Sequence, residues 1–480
     1  MNLTRAPRLG VCALAVGLAA LNVVLRNWWL VGGAFALGLS QIYLVVFPPV
    51  DWPPGRHVVQ LLGLNWTLED FLTHWAIIGR SGCGKTAGVI RTLFIQLLHS
   101  VPNFGCIAID EKANFHKVVA RLCAAQGKAD KLIVLRPRRP GRDRNQPLPH
   151  TMNLIGDRTI SWETYAQLVI DTAVACGQET NNAFFKNQGR KTITMIFATL
   201  DAIDVTPTLP LAYDFISDDQ FYKQALAELK RRVKYSERCQ ELQSFWDSFE
   251  AKGGDEKSGI KSTTELYLYP YAADELRDLF GDDKPTIELR VIDDGKILCP
   301  SIPQEFLTQR RYITAWFKFA GYFHLLRRFD DFDEEEREKL TPIVLLADEG
   351  QNSILAAEEG LADHNTLDKI REARGTLILA MQSYASALPA LKGRRDLAET
   401  IFTNLNNHVI GAIRDETGRE MAATAHLGGG NHGERQIGVD PKYHPRHCRH
   451  QYSRRGGNRD HRSEAGPRLH GLRKASAPYE

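Results

Sequence analysis

Paired cysteines are missing from this 480-residue chain. Its eight cysteines, at 12, 83, 106, 123, 176, 239, 299 and 448, never fall into a CxxC pair. That excludes a zinc ribbon, argues against a disulfide framework and suits a reducing compartment. An excess of one charge is equally absent: 60 Lys and Arg oppose 57 Asp and Glu, for a formal net charge of +3. So even a balance gives no bulk attraction to nucleic acid, although a near-neutral protein can carry a basic stripe along one surface. Residues 431–480 lack apolar content and are rich in Gly, Arg and His, a composition that predicts disorder. His444, His447, Cys448 and His450 match no standard metal spacing, and electrostatic contact with nucleic acid or acidic lipid suits this tail better. With 43% hydrophobic and 24% charged residues, the rest has length enough for a large α/β core carrying an insertion.

Long apolar runs are present only at the start. Leu9–Leu25 lies between Arg8 and Arg26, and Trp28–Phe47 ends at Pro48-Pro49. As helices they would span roughly 25 and 30 Å, close to a bilayer's hydrocarbon thickness. Only Arg26 and Asn27 separate them, so residues 1–50 read as a tight transmembrane hairpin in the lipid bilayer, without an external domain. Arg5 and Arg8 before it and Arg56 after it place both ends in the cytoplasm by the positive-inside tendency. A cleaved signal peptide is the competing reading, and a second apolar run directly after the first disfavours it.

Beyond the Pro-rich exit at 48–55, Trp75–Ile78 reads as a short strand, and Gly79-Arg80-Ser81-Gly82-Cys83-Gly84-Lys85-Thr86 completes GxxxxGKT. Helical periodicity follows through Leu98. The glycines let backbone N–H groups wrap phosphates at a helix N-terminus. Lys85 would reach the β- and γ-phosphates of ATP, and Thr86 would give a hydroxyl to Mg2+. Such a site also needs a carboxylate for the metal and a second to activate water. Two strand ends offer such pairs: Asp110-Glu111 after Ile107, and Asp348-Glu349 after Ile343–Ala347. In the large strand-insertion class of P-loop ATPases the first strand after the P-loop helix is usually the outer one. The metal carboxylate then sits on a later strand, adjacent to the P-loop strand. The longer apolar run before Asp348 also suits a central strand. Asp348 is therefore assigned to Mg2+ and Glu349 to water activation, with Asp110 and Glu111 ending a neighbouring strand at the same rim. Thr376–Met381 reads as a further strand whose tip, Gln382, is placed to sense the γ-phosphate. Arg371 and Arg374 lie on the preceding helix. One of them could act as an arginine finger toward a neighbour in a ring, Arg371 being the first choice.

In this order the motifs resemble the type IV secretion coupling proteins, the conjugative DNA-translocating ATPases. The resemblance runs through HWAIIGRSGCGKT, IAIDEKANF with its Asp-x-Lys, MNLI (152–155), IELRVIDDGKILCPSIPQEF (287–306), LLADE, LILAMQS and residues 407–428. Segment 287–306 is similar to the family's long apolar strand ending in a Pro-containing turn. Leu154-Ile155 departs from the family's Pro-Leu. The resemblance implies a RecA-like α/β P-loop core over 56–156 and 276–430, with an inserted all-α domain at 157–275. Within that insertion, Ser161–Ile203 and Gln220–Phe249 read as helices joined through TPTLP. It also implies a homo-hexameric ring at the bacterial inner membrane, with DNA or a relaxase–DNA complex as cargo and secretion-channel components as partners. Lys186, Arg190, Lys191, Lys230, Arg231 and Arg232 are candidate phosphate contacts in the insertion. The alternatives are a double-stranded DNA translocase of the chromosome-segregation type and a docking scaffold that does not hydrolyse nucleotide.

Overall fold

The structure is a computed structural model that describes residues 57–138, 147–178, 182–355, 360–413, 416, 419–420 and 435–438. The expected transmembrane hairpin (1–50) and most of the 431–480 tail lie outside these residues. Among the described residues, no helix is long and apolar enough to cross a membrane.

Strands β1 (Val59–Leu61) and β2 (Leu64–Trp66) form an antiparallel hairpin. The others are β3 (Trp75–Ile78), β4 (Gly105–Asp110), β5 (Leu132–Leu135), β6 (Ile297–Pro300), β7 (Ile343–Asp348), β8 (Gly375–Met381), β9 (Asn407–Ile410) and β10 (Arg435–Gly438). They make one eight-stranded sheet in the order β10-β9-β3-β8-β7-β4-β6-β5, parallel at every pairing. β3, β4, β7 and β8 are buried along their whole length, which is why they read as unbroken apolar runs rather than alternating ones. Alternate side chains enter two separate cores. Ile78, Ile107, Ile109 and Leu345 pack on one face, and Trp75, Ile77, Cys106 and Leu346 on the other.

Helices α1 (Arg91–Ser100) and α2 (Phe115–Ala125) cover the second face with Leu93, Phe94, Leu97 and Val119. Between β5 and β6 come α3 (Trp162–Ala175), α4 (Ala183–Ala202), α5 (Leu209–Ser217), α6 (Asp219–Arg232), α7 (Glu237–Glu250), α8 (Gly254–Leu268) and α9 (Asp274–Phe280). This helical segment closes around Trp246, which is fully buried and donates its indole N–H to Thr199 Oγ1 at 2.9 Å. α10 (Leu307–Leu326) packs on the first face, and α11 (Asp363–Glu372) and α12 (Arg395–Asn404) complete the fold.

Several expectations need correction. The metal-carboxylate strand is not adjacent to the P-loop strand: β8 lies between β3 and β7, and β4 is an inner strand flanked by β7 and β6. The helix expected over 161–203 breaks after Ala175, where Gly177 takes φ +88° and ends α3. The helix expected over 220–249 breaks at a turn, Val233–Tyr235, and Ser236 caps its second half. The long strand expected within 287–306 is only Ile297–Pro300, because Asp293-Asp294-Gly295, with Gly295 at φ +74°, turns the chain just before it. The helices of the insertion also run on to Phe280, past the expected limit at 275.

Candidate nucleotide site

A parallel sheet puts the C-terminal ends of its strands on one rim. Register pairs Ile78 with Met381, Asp348 with Ala380, and Asp110 with Asp348, so every carboxylate proposed from the sequence stands on the rim where Gly79 leaves β3. Strands two apart are separated by roughly 10 Å, and the loop after β3 spans that gap by passing over the tip of β8. Gly82 and Gly84 have φ of +79° and +95°, conformations a side chain would strain. At Gly79 a Cβ would lie 2.6 Å from Cys83 Sγ and 3.2 Å from Gly411 Cα, so a side chain there would displace Cys83 and crowd the neighbouring backbone. Arg80, Ser81 and Gly82 are exposed at its crest, whereas Lys85 is buried.

Thr86 ends the crossing. Its hydroxyl donates to Asp348 Oδ2 at 2.9 Å, tying the P-loop to β7 over 262 residues of chain. Lys85 Nζ folds back onto the Gly79 carbonyl at 2.5 Å. The other oxygen of Asp348, Oδ1, is buried and has no hydrogen-bond partner. Burial raises the Asp348 pKa, against the Thr86 hydrogen bond and the charges of Lys112 and Lys85. A buried carboxylate oxygen left open is costly. A hard divalent cation relieves that cost, so Thr86 and Asp348 fit Mg2+. Gly79, Arg80 and Cys83 already donate their N–H groups to the Met381, Ala412 and Arg80 carbonyls. The N–H groups of the other loop residues and the Lys85 ammonium fit a polyphosphate.

Asp110 is engaged otherwise. Its carboxylate accepts the N–H groups of Asn114, Phe115 and His116 at 3.0, 2.8 and 3.1 Å, capping α2. It also accepts His116 Nδ1 and Ser301 Oγ, both at 2.8 Å. Burial pushes its pKa up, but these bonds outweigh that and hold it below the usual carboxylate range. Little lone-pair capacity remains for a metal. Glu111 turns away toward Arg310 on α10, and burial raises its pKa.

Glu349 adopts φ +63°, a left-handed conformation that costs a residue with a side chain about 1–2 kcal/mol. Lys112 Nζ donates to its Oε1 at 2.5 Å, Gln351 Nε2 to its Oε2 at 2.7 Å, and Gln382 Nε2 to Oε2 at 3.4 Å. Burial pushes the Glu349 pKa up, but the hydrogen bonds from Lys112, Gln351 and Gln382 leave it lowered. Lys85, Thr86, Asp348, Glu349 and Gln382 are thus brought together. Arg371 is not. It lies in the last turn of α11, before β8 begins at Gly375, exposed at the opposite rim and roughly 20 Å of strand from Gln382. Arg374 stands beside it, half-buried, with φ +59°.

The parallel sheet with its P-loop rim has solved counterparts. The plasmid coupling protein TrwB bound to the non-hydrolysable ATP analogue ADPNP aligns over 80% of each chain with a TM-score of 0.53 and 14% identity. TrwB bound to the GTP analogue GDPNP aligns over 79% of this chain and 78% of its own, with a TM-score of 0.52 and 15% identity. The unbound bacterial conjugative coupling protein TrwBdeltaN70 covers 73% and 71%, at 0.50 and 17%. This chain shares the fold of a conjugative coupling protein. No protein-family model matches it, and no curated protein does. At these identities the likeness is one of fold, and the chemistry rests on the residues at the rim.

Two of those residues were not among the sequence candidates. Lys112 carries its own signal, since the Asp-x-Lys spacing puts it two residues past a strand-ending aspartate on the neighbouring strand. Gln351 carries none, because its contact with Glu349 exists only through the left-handed turn.

Proposed function

We propose that this chain is a membrane-anchored ATPase that couples ATP hydrolysis to delivery of DNA, or of a relaxase–DNA complex, to a type IV secretion channel. The observation that carries this reading is the 2.9 Å bond from Thr86 to Asp348, which joins a complete P-loop to an acidic strand tip. The fold shared with TrwB, solved with ATP and GTP analogues, supports it.

In this mechanism Lys85 and the N–H groups of the loop other than those of Gly79, Arg80 and Cys83 bind the phosphates, with Lys85 exchanging the Gly79 carbonyl for phosphate oxygen. Thr86 and Asp348 hold Mg2+, which when bound supplies charge neutralisation between the phosphates. Glu349 accepts a proton from the attacking water, and Gln382, hydrogen-bonded to Glu349 from the strand between P-loop and metal strand, senses the γ-phosphate. Arg371, exposed at the far rim, is the first choice for a finger that reaches a neighbouring subunit's nucleotide in a homo-hexameric ring, with Arg374 the alternative. The apolar runs before residue 48 anchor the chain in the inner membrane, with the remainder cytoplasmic.

The deciding experiment compares ATP hydrolysis by the full-length protein, Lys85→Ala and Glu349→Gln, with and without DNA. The reading requires DNA-stimulated hydrolysis that both substitutions abolish. Stimulation by duplex but not single-stranded DNA would favour the segregation-type pump. Full cargo transfer by a Glu349→Gln protein that hydrolyses nothing would leave the docking scaffold standing. Release of the full-length chain from membranes by alkaline extraction would remove the anchor.

A further inference from the structure

Behind Glu349 lies a fully buried ion pair that nothing in the mechanism above uses. Lys318 on α10 and Asp363 at the start of α11 both have side chains with 0% exposure, and Nζ lies 2.7 Å from Oδ2. The same ammonium donates to the Ser353 carbonyl at 2.7 Å. Asp363 accepts the Leu355 N–H at 3.1 Å through Oδ2 and the Tyr322 hydroxyl at 2.7 Å through Oδ1. Its own N–H donates to the Leu355 carbonyl at 3.2 Å.

Buried ion pairs of this kind contribute little to stability, since desolvation offsets most of their attraction. What this one does hold is irregular backbone. Ser353 and Leu355 belong to the segment leaving β7 through the turn Gly350–Asn352, where neither sheet nor helix pairs their buried polar groups. That turn is fixed at both ends. At Gly350 a Cβ would lie 2.3 Å from Leu379 Cδ1, so the backbone is pressed against β8. At Ser353–Leu355 it is tied to Lys318 and Asp363. Between the two clamps the backbone returns by Asn352 N–H to Glu349 O at 3.1 Å and Ser353 N–H to Gly350 O at 2.9 Å. A left-handed Glu349 persists only where its surroundings over-determine it.

We infer that Lys318 and Asp363 are positioning residues for hydrolysis: their ion pair clamps the Ser353–Leu355 backbone and thereby aims the Glu349 carboxylate. The inference rests on Glu349 being the water-activating group. Neither residue touches nucleotide. The clamp also joins α10 and α11, so movement of either helix is transmitted to the turn behind Glu349.

The test uses full-length protein carrying Lys318→Met with Asp363→Leu, Tyr322→Phe alone, and Glu349→Gln as control. Hydrogen–deuterium exchange over residues 349–355 is measured without nucleotide, together with Tm and the kcat and KM for ATP. For the double variant, which replaces the pair by apolar side chains of similar size, the Ser353 carbonyl, Leu355 N–H and Tyr322 hydroxyl lose their partners, so Tm falls, exchange speeds up about tenfold, and kcat falls about tenfold with KM within about twofold. Unchanged exchange, unchanged kcat, or a KM that rises in step with the fall in kcat overturns the inference. If the double variant does not fold, Tyr322→Phe decides by the same readouts, with changes of about threefold, because it removes a single hydroxyl from Asp363. Wild-type turnover by Glu349→Gln would instead sink the reading of Glu349, while the exchange data still report whether the pair holds the turn.

Discussion

Lys112 Nζ sits 2.5 Å from Glu349 Oε1, joining the tip of β4 to the tip of β7. With Gln351 and Gln382 on Oε2, three donors hold the carboxylate. Burial raises its pKa, but the Lys112 hydrogen bond and charge lower it and so weaken the group as a base for water. Lys112→Met therefore raises basal ATP turnover. The lysine side chain is 50% exposed, so its loss costs less than about 1 kcal/mol of stability in denaturant unfolding. Lower basal turnover would show that Lys112 serves the phosphates rather than restraining the glutamate.

The two acidic strand ends separate stability from chemistry. Asp110→Ala removes the cap of α2 and leaves Ser301 and His116 short of a buried partner, so stability falls by about 2–4 kcal/mol. Affinity for an ATP analogue, measured on the folded fraction, is retained. Asp348→Ala does the opposite. It removes a buried oxygen that has no partner, so Tm holds or rises, while hydrolysis falls by at least about a hundredfold. A loss of nucleotide affinity in the first variant together with active hydrolysis in the second would reverse the assignment of the two aspartates.

That both aspartates end strands at one rim was legible in the sequence. GxxxxGKT, the apolar runs ending at Asp110 and Asp348, and the strand ending at Gln382 are local signals that a fully buried parallel sheet enforces residue by residue. Strand order is not local. Nothing in the run Thr376–Met381 says that it inserts between β3 and β7, and a class expectation put the metal strand one place too near. The broken helices at Gly177 and Ser236 were missed because apolar spacing continues across a cap, while the cap itself is a single residue. Lys318 and Asp363 were out of reach for another reason: they lie 45 residues apart, and each looks like an ordinary surface charge until the fold buries it.

His74 gives stability a pH dependence of known sign. It is fully buried beneath β3, its Nε2 hydrogen-bonded to the Leu367 carbonyl at 2.6 Å and its Nδ1 accepting the Leu377 N–H at 3.1 Å, so it is held neutral. Burial is the largest cause lowering its pKa, to about 4 from an ordinary 6.5. Below pH 6.5 the unfolded chain binds a proton that the folded chain refuses. The stabilising contribution is therefore complete above pH 6.5 and is lost as pH falls toward 4, with a slope approaching about 1.4 kcal/mol per pH unit. Urea unfolding at intervals between pH 7.5 and 4 should show this slope in the wild type and a flatter one in His74→Gln. Equal slopes would mean that His74 is already charged in the folded protein.

Gly350 tests how tightly the turn behind Glu349 is pressed on the sheet. Its φ is not among the positive values, so alanine can adopt the backbone, and the obstacle is space alone. The added Cβ would meet Leu379 Cδ1 at 2.3 Å and the Ala380 carbonyl at 3.3 Å. Leu379 is fully buried in β8, so it can yield only by overpacking the core, at about 1–3 kcal/mol. Gly350→Ala should lose that much stability, and turnover should drop because the turn lifts away from β8 with Glu349 at its start. Shortening the obstacle relieves the clash. Leu379→Val combined with Gly350→Ala should recover part of both losses, a favourable coupling that contacting sites show and distant ones do not. Additive losses in the double-mutant cycle would mean that the two side chains never compete, and that the turn stands clear of the strand.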